Sequence, residues 1–166
     1  MISINKYQQL FLALAIVLAN AITTYAQDQI ADRQKADSIK VLETTNNFLA
    51  AFRNLEWDKF TEYFADDATA FFPPSARHPY RTNNKSEIMS IFKIVFENAH
   101  KRRSSAPYLD IDPKDIKIQM AAQLAVVSFT LSDPDMLSRR TLIWVKRNDK
   151  WVIIHLHASG ISLTDK

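Results

Sequence analysis

Between Asp37 and Leu55 the apolar residues Ile39, Leu42, Phe48, Leu49, Phe52 and Leu55 recur at spacings near three and four, with polar residues between them. That period predicts an amphipathic helix with one buried stripe. A second, short helix is expected from Glu56 to Phe64, with Phe60, Tyr63 and Phe64 facing inward. Asp66 and Asp67 break it and lead into a strand from Ala68 to Phe72. Pro73 and Pro74 end that strand, since neither can donate to a ladder. Residues 75–84 read as an irregular loop. Ser86 is placed as the N-cap of a third helix, with Ile88, Ile91, Phe92, Val95 and Phe96 on one face.

Beyond that helix the pattern changes. Ile116 to Met120, Leu124 to Leu131, Arg139 to Lys146 and Trp151 to Ser159 are rich in β-branched and aromatic residues and read as strands. Asn148-Asp149-Lys150 is expected to be a hairpin turn, with Asn or Asp in the left-handed conformation. Helices followed by an antiparallel meander make an α+β pattern. Within the last strand, His155 and His157 interrupt an apolar run. Strand side chains alternate faces, so the two imidazoles point the same way.

The first 26 residues have a different character. Lys6 precedes an uninterrupted apolar run from Leu10 to Ala19, and Thr24-Tyr25-Ala26 carries small residues at the −3 and −1 positions of a cleavage site. This is the pattern of a secretory signal peptide. The run breaks at Asn20, short of the ~20 apolar residues that cross a bilayer, so no stable membrane anchor is expected. The expected organisation is a signal peptide over 1–26, a linker over 27–34 and one domain over 35–162, exported to a periplasm or secreted. The 166-residue chain has no cysteine, so packing alone must hold an exported product together.

Composition excludes some functions. The net charge is only +3, and the basic cluster His100-Lys101-Arg102-Arg103 follows a helix end, where cations complement the macrodipole; no nucleic-acid partner is expected. Gly160 is the only glycine, which excludes glycine-rich nucleotide-cradling loops, and no cofactor is expected.

The order of a long helix, a Trp57-Asp58-x-Phe60 helix ending in Tyr63-Phe64-Ala65-Asp66-Asp67-Ala68, a pocket loop, a third helix and a last strand Trp-x-Ile-x-His-x-His-x-Ser over 151–159 resembles the SnoaL-like branch of the nuclear transport factor 2-like superfamily. The likeness covers residues 35–160, and the closing strand is its most specific part. Asn83 or Asn84 stands where the family has a glycine before the third helix, which asparagine tolerates. The resemblance implies a cone of three helices on a curved antiparallel sheet, a cavity between the layers, and a homodimer through the outer sheet face. On that basis Val152, Ile154 and Leu156 would pack outward, while Ile153, His155 and His157 would line the cavity.

Related cone folds use a cavity Asp, His or Tyr for acid/base work of the isomerase, dehydratase or cyclase type. Here the catalytic candidates are His157 as base, His155, and Asp67 or Tyr80 as partner. Tyr63, Phe71, His78, Arg81 and Ile153 are the candidate ligand-binding residues, suited to a small apolar molecule. Phe71, Phe72, Pro73 and Pro74 are candidates for the cavity mouth. The plainer alternative is that each histidine satisfies a buried hydrogen bond. A non-catalytic binding or dimerising module is the competing function. A zinc site built on the His-x-His pair would need His78 or Asp67 as its third ligand, but the sequence fixes none, and no metal is expected.

Overall fold

A computed structural model describes residues 6–73, 80–133 and 136–163. The chain divides into two compact units, residues 1–37 and residues 38–166. Helix α1 (Lys6–Arg53) begins far upstream of the expected start at Asp37, and residues 27–34, expected as linker, are helical. Among the described residues, no helix is long and apolar enough to cross a membrane.

In the second unit α1 is stopped just past Arg53 by Leu55, whose φ of 56° lets Leu55 N and Glu56 N donate to the carbonyls of Phe52 and Ala51. That is the left-handed helix stop usually made by glycine. Helix α2 (Trp57–Glu62) follows, and strand β1 (Phe64–Phe71) starts four residues earlier than the sequence suggested. Helix α3 (Lys85–Arg102) is capped by Asn84 and not by Ser86. Asn84 Oδ1 accepts from Glu87 N at 2.9 Å, and the Glu87 carboxylate accepts from Asn83 N at 2.8 Å, a reciprocal box that fixes the helix entry.

Four strands complete the unit: β2 (Pro113–Ala121), β3 (Leu124–Asp133), β4 (Met136–Arg147) and β5 (Lys150–Ser162). Asn148 and Asp149, with φ of 49° and 60°, form the β4–β5 hairpin as expected. The sheet order is β1-β5-β4-β3-β2. It is not purely antiparallel, as the sequence suggested, because β1 pairs with β5 in parallel.

Register assigns each residue to a face. One row crosses the sheet through Ala70, Leu156, Leu142, Val127 and Ile118, and the next through Ala158, Arg140 and Phe129. These rows face the helices. The opposite face carries Thr69, His155, Ile143, Val126 and Gln119 in one row, then Phe71, His157, Thr141, Ser128 and Lys117. The core between layers is aromatic: Phe60 lies 5.3 Å from Phe48 and 4.8 Å from Phe92 between ring centroids, and Trp144 packs edge-on to Phe48.

A bulge breaks β5. Ile143 opposes His155 while Trp144 opposes Ile153, so Ile154 is an extra residue. Its effect is to change the face parity of everything after it. Trp151 and Ile153 point into the core before the bulge, and Leu156 and Ala158 do so after it. The expectation that His155 and His157 share the inner face with Ile153 is therefore corrected: both lie on the outer face. Leu156, expected outside, is inside.

Candidate functional site

Beneath α1 and α3 the inner face encloses a cavity of about 230 Å³. Phe48, Leu49 and Phe52 enter it from one stripe of α1, and Phe92 and Val95 from α3. Phe72 and Pro73, two of the four residues expected at a mouth, close it beyond the end of β1, whereas Phe71 lies on the other face and Pro74 outside the described residues. The sheet contributes Phe129, Leu131, Leu142, Leu156 and Ala158, and one charged side chain, Arg140.

Arg140 lies in this wall because it alternates with Leu142 and Trp144 on the inward face of β4. Its Nη1 donates to the carbonyls of Ser159 at 3.2 Å and of Arg139 at 3.1 Å. Burial, with no opposing charge to offset it, pulls its pKa below the ordinary guanidinium value. The group nevertheless stays charged near neutral pH. No carboxylate pairs with it among the described residues.

None of the described catalytic or ligand-binding candidates lines this cavity. His155 and His157 lie in an open concavity on the outer face with Arg139, Thr141 and Ser159. His155 Nδ1 is 2.8 Å from Thr69 Oγ1, and the Phe71 ring sits 5.9 Å from the His155 ring and 6.0 Å from that of His157. Burial lowers the His155 pKa below 6.5, helped by the nearby charges of His157 and Arg81. Asp67 does not partner either histidine. It makes a two-pronged ion pair with Arg147, at 2.7 and 2.9 Å, and that bond holds its carboxyl below the usual range.

Tyr80 is 83% exposed, and Arg81 donates to Asn83 Oδ1 on the surface. Phe71, 42% exposed, is on the outer face, and Ile153 is fully enclosed in the core. Tyr63 packs edge-on against Phe48 and Trp144, and burial first, then the Glu62 charge, raises its pKa above 10.0. His78 lies outside the described residues. The functional group that sequence reasoning missed is Arg140. Its signal was the period-two alternation Arg140, Leu142, Trp144, which put a cation on a core face.

The geometry has known counterparts. Residues 41–163 match the family model of the SnoaL-like domain. A candidate dehydratase of the nuclear transport factor 2-like family from Streptomyces avermitilis superposes with a TM-score of 0.63 at 14% identity, covering 76% of this chain and 97% of that one. The association domain of C. elegans CaMKII superposes with a TM-score of 0.55 at 16% identity, over 77% of this chain and 98% of that domain. In sequence, the chain is 26% identical over 145 residues to the δ subunit of calcium/calmodulin-dependent protein kinase type II from Oryctolagus cuniculus. That match takes in 82% of this chain but only 26% of the kinase subunit's length. The chain belongs to the SnoaL-like domain family and has the α+β nuclear transport factor 2-like fold.

Proposed function

We propose that this domain binds a small amphipathic monocarboxylate, its apolar body among Phe48, Phe52, Phe92 and Phe129 and its carboxylate on Arg140. The observation that carries this reading is a guanidinium that has no carboxylate partner among the described residues, in an otherwise apolar wall. A charge so placed costs the fold desolvation energy, and an incoming carboxylate compensates it with paired N–H donors. The size is that of a compact ligand. A cavity of about 150 Å³ holds benzene, so the 230 Å³ here suits a molecule somewhat larger than one ring.

Calorimetric titration with octanoate and phenylacetate tests it. Arg140→Met is expected to weaken binding by about 10- to 100-fold, the loss of a charge-assisted hydrogen bond, with the fold as stable as before or more so. Binding that is unchanged in the variant, or no binding by the unaltered protein, defeats the reading. Acid/base turnover of the isomerase, dehydratase or cyclase type is less favoured. Arg140 is the only titratable group of the cavity wall among the described residues, and it does not exchange protons near neutral pH.

The outer face supports a second reading, a homodimer through the sheet. Val126 and Ile143 lie side by side there, each half-buried in the single chain. The CaMKII relative is by name an association domain.

A further inference from the structure

The outer-face histidines have no role in the cavity, and they stand on the face that the homodimer reading gives to a second copy. His155 lies directly across from Ile143 of β4, and Ile143 lies beside Val126 of β3, so the imidazoles border the apolar centre of that patch. In the next rows Thr141 opposes His157, and Arg139 opposes Ser159. When two copies meet about a two-fold axis the same patch faces itself, so a patch rich in one sign of charge meets that sign again.

The groups around the imidazoles come from every strand. On one side β1 offers the uncharged Thr69 and Phe71: the Thr69 hydroxyl is 2.8 Å from His155 Nδ1, and the Phe71 ring packs against both imidazoles. Farther along β1, Asp67 is held by Arg147 of β4. On the other side β4 brings Arg139, and β3 brings Ser128 and Thr130. The edge strand β2 carries Gln119 and Lys117, with Lys114 tied to Asp112 at 2.7 Å and Asp115 at the irregularity between Lys114 and Lys117. Arg81, in the segment before α3, is close enough to repel a proton on His155. Among the described residues no carboxylate reaches an imidazole, so nothing in the chain compensates a charge placed there.

We propose that the sheet-to-sheet homodimer is gated by pH: it holds while His155 and His157 are neutral and comes apart when they are protonated. The inference rests on the homodimer reading of the outer face and is independent of what the Arg140 cavity holds. Neutral imidazoles suit a covered face, because the Thr69 hydroxyl can donate to Nδ1 of His155 and satisfy that nitrogen away from water. Imidazolium does not suit it. Pairing takes two imidazoles of each copy out of water, which disfavours their charged form, and gathers them among the like charges of both copies. Both effects let the free protomer bind more protons than the paired one, so acidification through the histidine range draws the equilibrium towards monomer.

Sedimentation equilibrium at constant ionic strength, at about pH 8 and about pH 5.5, tests the gate on the unaltered protein and on a His155→Gln/His157→Gln double variant, whose side chains are neutral at both values. The dimer dissociation constant of the unaltered chain is expected to rise by about tenfold or more at the lower pH, and that of the double variant to stay nearly constant. His157→Gln alone, at an exposed position that does not threaten the fold, should keep the dimer at pH 8 and lose part of the pH dependence. A variant dimer that persists at pH 5.5 ties the dissociation to the imidazoles and not to acid unfolding. A dimer equally tight at both pH values overturns the gate and leaves the homodimer standing, whereas monomer at both overturns the two together. The gate also fails if the double variant dissociates in acid as the unaltered chain does, or if both variants are already monomeric at pH 8, which would make the imidazoles obligatory contacts.

Discussion

Arg140 and His155 are each a basic side chain on a strand, one turned inward and the other outward, and the difference decides their chemistry. Arg140 keeps its charge against burial, whereas His155 sheds its proton more readily for the same reason. The consequence for stability follows from linkage. The unfolded chain binds a proton at His155 near the ordinary value of 6.5, while the folded chain binds it only at lower pH. Between those values the unfolded state holds more protons, so stability falls as pH drops below 6.5 towards the folded pKa. Denaturant unfolding between pH 5 and 8 should show that decline, and His155→Gln should reduce it; an unaltered slope would contradict the burial of the ring. The inward guanidinium was legible in the alternation of β4. The outward imidazoles were legible as a pair, but not their side of the sheet.

Strand β5 shows why the side was hidden. Alternation from Trp151 and Ile153 carries His155 and His157 inward only if the strand is regular, and the bulge at Ile154 makes it irregular. The clue lay in the apolar residues, which change parity: Trp151 and Ile153 at odd positions, Leu156 and Ala158 at even ones. A register slip that keeps large side chains buried is favoured over one that buries two imidazoles. Leu156→Ala should therefore cost about 2–5 kcal/mol in urea unfolding, and His157→Ala no more than about 0.5 kcal/mol. The reverse order would restore the regular strand. The α3 cap differs from the expected Ser86 for a similar local reason. Asn84 and Ser86 are both good caps, and the choice falls to Asn84 because Glu87 then reaches back to Asn83.

At the scale of the molecule, the layer architecture and element order were legible because both hydrophobic periods are strong. The parallel β1–β5 pair was not, since no local pattern links residues 64–71 to 153–157. Nor was the true extent of α1, because its upstream half lacks the apolar stripe that marked the stretch after Asp37. Assembly is the prediction at this scale. We predict that the chain expressed from Met1 yields a product beginning at Gln27 by intact mass, an uncut chain counting against the signal peptide, and that it sediments as a dimer, with Ile143→Lys shifting it to monomer. A chain that sediments as monomer at all concentrations would remove the outer-face pairing. The β1–β5 pair has one more consequence, in time. Thr69 and His155 are 86 positions apart, so β1 leaves the ribosome long before the strand it must lie against. Until the thirteen residues of β5 have been made, Ala70 lacks its neighbour Leu156, and β4 lacks one of its two neighbours. The nascent domain thus waits for its final strand before the sheet can close, and a chain cut short before Lys150 would leave β1 unpaired along most of its length.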